Sequence, residues 1–499
     1  MSLEESGSRG ASRASRTAVI SLALVLVGCG ARSDLDSNLG DDTWGEPPAA
    51  TADDGSASPQ DATIQDAASD GGLGDGSLFD SAGADVDLDA RDGSPAWDAG
   101  VDPPATVASA LQIDPAHDGT IDDPLLVGPL RRLWSVTLPA LVSYPIIARD
   151  LIVVVTARFD SQAQLVAFHG HTGARAWGPI DLGSGPTGLG VYGAATYENG
   201  RIYTSEEDGV VRAFDVATGT PLWTTSWPAS SSSLEGCPPT AYRGVVYVEG
   251  TSGTSGGLLA IDEASGKLLW QSAGEGDPES DPAVTDDGVF VSHNCKVTSR
   301  HDRLSGAVIW ELPRLCESGG GGWAPVVAGG LVYARQGAEP YSYIAQVSDG
   351  TVVGTLSSFS PPAIHDGSVF LLSNGILEAL DPLGQTEAWS FGDGTLITPP
   401  IVVSGRVFVG SSDGTLYGLD EKTGAQVWSD DAGVPFEGLD ELSLGGFEPA
   451  ALAAAGGLLV APAGNSLIVY GAAPDVEPSD SGASDATGGS AVDASADGD

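Results

Sequence analysis

An all-β fold built from repeated four-stranded antiparallel sheets is predicted by three observations. The first is a repeating unit. Its clearest copy, Ile401 to Trp428 (IVVSGRVFVGSSDGTLYGLDEKTGAQVW), divides into three short apolar runs and a final Trp. The second is spacing: Trp134, Trp177, Trp223, Trp270, Trp310, Trp389 and Trp428 stand roughly 40 residues apart, with one double gap. The third is turn chemistry, because Gly405, Gly414 and Gly424 stand where tight turns require positive φ, and Asp420 opens the last turn as a cap. One small sheet does not bury such a Trp alone. Repetition around a ring does, and a four-strand unit of this length is the propeller signature.

Taken in order, the chain begins with Arg9, Arg13 and Arg16 ahead of a short apolar run, Thr17 to Gly28, too short to span a bilayer comfortably. Residues 1–29 therefore read as an export signal. Residues 30–105 are rich in Asp, Ala, Ser, Gly and Pro, with Arg32 and Arg91 their only basic residues. Such a segment buries too little apolar surface to offset the entropy of ordering, so it is predicted to be a disordered acidic linker reaching roughly 50 Å. Asp85, Asp87 and Asp89 alternate as in calcium loops, but the spacing and terminal Glu of such a loop are missing. A second acidic tail occupies residues 474–499.

The propeller itself is placed at 106–473. Leu130 to Leu138 (LRRLWSVTL) reads as a fourth strand with no first three before it, while Phe447 to Tyr470 supplies three strands with no fourth. Joining them puts the N-terminal strand outermost on the last blade and removes an exposed edge. Together with copies ending at 177, 223, 270, 310, 353, 389 and 428, this gives eight blades, the copy near Val353 being degenerate.

The pattern V-Y-V-x-x-x-D-G-x-L-x-A-L-D-x-x-T-G-x-x-x-W resembles the repeat of PQQ-type β-propellers, over about residues 130–472. That superfamily includes quinoprotein alcohol dehydrogenases and BamB-type outer-membrane assembly lipoproteins. Leu26-Val27-Gly28-Cys29 likewise resembles a bacterial lipobox, which implies cleavage before Cys29 and lipidation of its thiol. The alternative is an ordinary signal with an incidental Cys. By the same resemblance, Gly30 rather than Asp after the Cys implies the outer membrane, with the chain periplasmic or surface-exposed.

Charge and site chemistry narrow the function classes. A net charge of -47, from 21 Lys+Arg against 68 Asp+Glu, argues against nucleic acid and anionic lipid as partners. Quinoprotein dehydrogenases pair the fold with a vicinal disulfide, a calcium cluster and a catalytic Asp; no Cys-Cys occurs here and no such cluster aligns. The repeating Asp215, Asp262, Asp302 and Asp420 are explained as turn caps. His117, His169, His171, His293, His301 and His365 are scattered and suggest no zinc set. The expectation is accordingly no catalytic residue, no cofactor, no metal, and a monomer.

Cys237, Cys295 and Cys316 remain, in an exported chain where oxidation is favoured. Cys295 falls in a connection between strands 2 and 3, and Cys316 in the following blade-to-blade loop, so a Cys295–Cys316 bridge is expected, against three unlinked thiols. The long blade connections at 224–238, 311–323 and 429–446 emerge on that same face. Trp227, Trp323, Phe436 and Phe447 lie in or beside them, either as anchors for a protein or carbohydrate partner or as packing for the loops. The reading is a binding or scaffold module of the cell envelope. A BamB-like role, a PQQ-dependent enzyme and a surface binding propeller stay open, and the Asp-rich linker departs from the BamB pattern.

Overall fold

The computed structural model describes residues 106–157, 163–183, 193–206, 209–226, 237–252, 255–273, 281–292, 298–312, 323–335, 341–358, 360–438 and 450–473. They form eight antiparallel sheets, the blades of a propeller. Blade 1 spans residues 141–183, blade 2 195–226, blade 3 240–273, blade 4 283–312, blade 5 323–357, blade 6 363–391 and blade 7 401–431. Blade 8 combines Ala453–Ala455, Leu458–Ala463 and Ser466–Ala472 with the N-terminal strand Leu130–Thr137, which pairs with Ser466–Ala472.

Hydrophobic pattern follows position in the blade. Second strands are covered by neighbouring blades on both faces: every residue of Leu151–Ala157 and of Leu458–Ala463 is buried. Fourth strands have one face in solvent and alternate, as Gln426–Asp431 does. The Trp of each fourth strand lies on the inward-facing side of that alternation.

One contact joins the blades. The indole N–H of Trp134, Trp177, Trp223, Trp270, Trp310, Trp389 or Trp428 donates to a backbone carbonyl of the next blade, respectively Gly170, Val216, Glu263, Arg303, Val347, Glu421 and Leu130, at 2.6–3.1 Å. For all of these but Trp428, a turn glycine of that next blade lies against the indole. A methyl group added at Gly173 or Gly266 would stand 2.6 Å from the ring of Trp134 or Trp223, and φ there is +73 or less, so glycine is required twice over. Blade 5 carries Gly354 in the Trp register; its link to blade 6 is Tyr333 Oη donating to the Pro382 carbonyl, with Leu356 seated against Gly384.

The segment before the N-terminal strand has no counterpart in the repeats. Residues 106–123 run once around the inside of the ring, against the innermost strands. The mid-strand amides of Ile147, Tyr197, Val284, Val327, Ile364 and Val402 donate to the carbonyls of Ala108, Ser109, Pro115, Ala116, Asp118 and Gly119. Blade 3 is reached through a side chain, since Ala241 N donates to Thr196 Oγ1, which itself donates to the Ser109 carbonyl. Thr120–Ile121 adds a fifth, parallel strand to blade 7, and Asp123 Oδ2 accepts from Gly457 N in blade 8. The inner edge of each sheet would otherwise present unpaired donors to the axis.

Trp310 is 8% exposed, so Trp310→Ala should cost about 3–5 kcal/mol in urea denaturation. Val427→Ala, at a site 52% exposed, should stay within about 0.5 kcal/mol. Deleting residues 106–123 strips acceptors from six inner-strand amides and should lower the melting temperature by about 10 °C or more. A shift of only a few degrees would mean that this segment contributes little to the ring.

Candidate functional site

The inside of the ring is lined by the chain itself. Ala108, Ala110, Leu111, Gln112, Ile113 and His117 are all buried. Gln112, Ile113 and His117 hold positive φ (51, 78 and 60), which lets the segment bend tightly enough to follow the ring. Gly119 completes the bend: a methyl group there would meet Ala363 Cβ at 2.9 Å. Gln112 spans blades 6 and 7, its Nε2 donating to the carbonyls of Pro362 and Pro400.

His117 Nδ1 faces the Pro325 carbonyl at 3.1 Å, so that nitrogen carries the proton and the imidazole is neutral. Burial pulls its pKa down to about 4, outweighing the carbonyl contact. Tyr144 Oη donates to Asp281 Oδ2 at 3.2 Å, linking blade 1 to the segment that precedes blade 4. Burial pushes Asp281 up to about 8. His117, Tyr144 and Asp281 are all buried.

Ionisable side chains concentrate instead at two blade seams. Between blades 2 and 3, Glu263 Oε1 accepts from Arg201 at 2.6 Å and Oε2 from Asn199 at 2.9 Å. Glu198 accepts from the amides of Arg243 and Gly244. Burial, with the neighbouring Glu263 charge, pushes Glu198 up to about 8.

The seam between blades 6 and 7 repeats this geometry with different residues. Strand register places His365 and Ser368 where Glu198 and Arg201 stand. Asp366, with φ +47, takes the turn position of Asn199 with φ +49. Glu421 corresponds to Glu263, since each follows a turn Asp and each accepts an indole N–H through its carbonyl. His365 Nδ1 lies 2.7 Å from Glu421 Oε1, and ligand-capable atoms of His365, Asp366 and Glu421 all fall within 4.8 Å of one another. Burial disfavours charge on His365, but the Glu421 hydrogen bond and the fields of Glu421, Asp366 and Asp122 prevail and raise its pKa. Asp118 of the axial segment also feels the imidazole.

The residues expected on the loop face fare differently. Phe436 is 2% exposed and packed against Gly410, where a methyl group would stand 2.7 Å from its ring. This corrects the expectation that it anchors a partner: the ring fills the gap left by a glycine in the second strand of blade 7. Trp323 opens the first strand of blade 5. Trp227, Phe447, Cys29, Cys295 and Cys316 lie outside the described residues, as do the signal, linker and tail. Cys237 is buried and its carbonyl accepts from Ser205 Oγ. Asp215, Asp262, Asp302 and Asp420 each accept from the amide three residues on, as turn caps do.

Two features escaped sequence reasoning. The axial segment is unrepeated, and only its apolar Leu111 and Ile113 set it apart from the acidic stretch before it. The His365–Glu421 contact joins neighbouring repeats, so it becomes visible once the repeats are aligned column by column and read across the seam.

The family model described as outer membrane protein assembly factor BamB matches residues 207–355 and 345–474. The outer membrane protein assembly factor BamB of Yersinia pestis is 26% identical over 251 residues, 46% of this chain and 63% of that protein. The chain thus spans less than two thirds of that relative's length. Among solved structures, BamB from Moraxella catarrhalis superposes with a TM-score of 0.51 at 17% identity, covering 69% of this chain and 98% of that one. A europium-containing methanol dehydrogenase superposes with a TM-score of 0.57 at 12% identity, covering 74% of this chain and 98% of that one. The eight sheets, the indole links and the match over residues 207–474 agree, and the chain belongs to the BamB-type family of PQQ-like β-propellers.

Proposed function

We propose that this chain is a non-catalytic binding or scaffold propeller of the cell envelope, with a BamB-like part in outer-membrane protein assembly. The observation that carries this reading is the axial segment. An enzyme on this architecture needs a concave pocket for substrate and cofactor, and the ring axis is the natural place for one. Residues 106–123 line that place with backbone hydrogen bonds to the inner strands, which supports the reading. The family match supports the same reading. Partner binding then falls to the rim and to the blade connections at 224–238, 311–323 and 429–446. Lipidation at Cys29 anchors the chain to the membrane, and the acidic linker, residues 30–105, gives the propeller reach from that anchor.

Three measurements test this. Cys29→Ala should release the protein from membranes into the soluble envelope fraction; a mutant that still sediments with salt-washed membranes removes the anchor. Crosslinking in envelope membranes should capture proteins of the outer-membrane assembly route on the propeller, with or without residues 30–105. Capture of none of these would remove the scaffold role. Addition of PQQ and calcium should give no dye-linked oxidation of primary alcohols or aldoses, and measurable turnover would move the chain to the dehydrogenase reading.

A further inference from the structure

The two equivalent seams differ at three positions: besides the two donors to Glu263, the Glu198 carboxylate is replaced by the His365 imidazole. Between blades 2 and 3, the buried Glu263 carboxylate is satisfied by two donors, the Asn199 amide and the Arg201 guanidinium. Between blades 6 and 7, both donor positions are changed. Asp366 replaces the amide with a second carboxylate, and Ser368 replaces the guanidinium with a neutral hydroxyl. Glu421, whose side chain is 7% exposed, is left facing one imidazole and one carboxylate. Asp118 and Asp122 add further negative charge around the same ring.

Arg406 offers no relief, because its guanidinium donates to the Gly128 carbonyl. Glu421 keeps the His365 imidazole as a hydrogen-bond partner but lacks a guanidinium, whose place a cation ligated at this seam would take. One nitrogen and two carboxylate oxygens, arriving from a strand end, a turn and the neighbouring blade, are a ligand set of that kind.

We infer that His365 Nδ1, the Asp366 carboxylate and the Glu421 carboxylate form a binding site for a divalent transition-metal ion of the zinc type, which clasps blade 6 to blade 7. The imidazole favours zinc over calcium or magnesium, which prefer all-oxygen shells. With metal–ligand bonds of about 2.0–2.1 Å in a tetrahedral shell, Nδ1 and Oε1 sit about 3.3 Å apart, so the pair opens by about 0.6 Å from its present 2.7 Å. Asp366 is exposed, in a turn, and leaves an approach from solvent for the ion and for a completing water.

The test is titration of the full-length protein with zinc chloride by calorimetry, with calcium chloride in parallel, for the parent, His365→Gln and Asp366→Asn. The parent should bind one zinc per chain at this site and show a metal-dependent rise in melting temperature. Both variants should bind it at least about tenfold more weakly, with metal-free melting close to the parent. Cobalt added to the parent should give the visible absorption of a tetrahedral site, and the variants should lose it.

Asp366→Asn carries the test even if His365→Gln folds poorly, because asparagine occupies the same turn at position 199. Equal zinc binding by all three proteins would place the metal elsewhere, among the many other carboxylates, and overturn the assignment. So would the absence of binding by the parent, or a preference for calcium over zinc. In any of these cases His365–Glu421 is an ion pair and nothing more.

Discussion

The ring depends on a single directional contact used over and over, an indole N–H on one blade reaching a backbone carbonyl on the next. Apolar burial alone would hold the blades together without fixing their angle, because it is non-directional. The hydrogen bond fixes it. The carbonyl belongs to the residue that follows the turn Asp in most blades, and the turn glycine is where the ring plane rests. Cap, glycine and Trp are therefore one device distributed over two repeats. That is why the three travel together in the sequence, and in blade 5, which has Gly354 in the Trp register, Tyr333 Oη and Leu356 make the contacts to the next blade.

Sheets that point their first strands at an axis carry a second constraint. Each inner edge has amides with no partner in its own blade, and eight such edges converge on a narrow space. This chain meets the constraint with its own backbone, one mid-strand amide after another. The solution has a functional side. Gln112 Nε2 is committed to the Pro362 and Pro400 carbonyls, while Gln112 Oε1 and His117 Nε2 are buried with no hydrogen-bond partner among the described residues.

Much of the fold was legible in the sequence because repetition supplies its own controls. Any one apolar run is ambiguous between a buried strand and a buried helix segment, but several aligned copies with the same turn residues are not. The blade number was legible for the same reason, including the degenerate copy, where Gly354 stands in the Trp register. The axial segment was not, because it is made once and its conformation rests on residues such as Ile113 (φ 78) that no propensity would put there. Phe436 shows the limit of reading exposure from a loop: its aromatic ring is explained by Gly410, on a strand some twenty-six residues earlier, and not by any ligand. The seam residues were visible singly and became a group only when neighbouring repeats were read against each other.

The same stretch of chain, residues 106–137, thus supplies both the innermost ribbon and the outermost strand of blade 8. This sets an order for assembly. The partners of 108–121 are scattered from Ile147 to Ser404, and those of Leu130–Thr137 lie at Ser466–Ala472. The part of the domain synthesised first finds its last partner only when the final blade exists. Loop-closure entropy then falls due at the end, after seven blades have had the chance to stack by local contacts. A chain cut short in its last blade would leave unpaired strand at both the hub and the perimeter. The strand Leu130–Thr137 is in this way a latch that engages only once the chain extends through Ser466–Ala472.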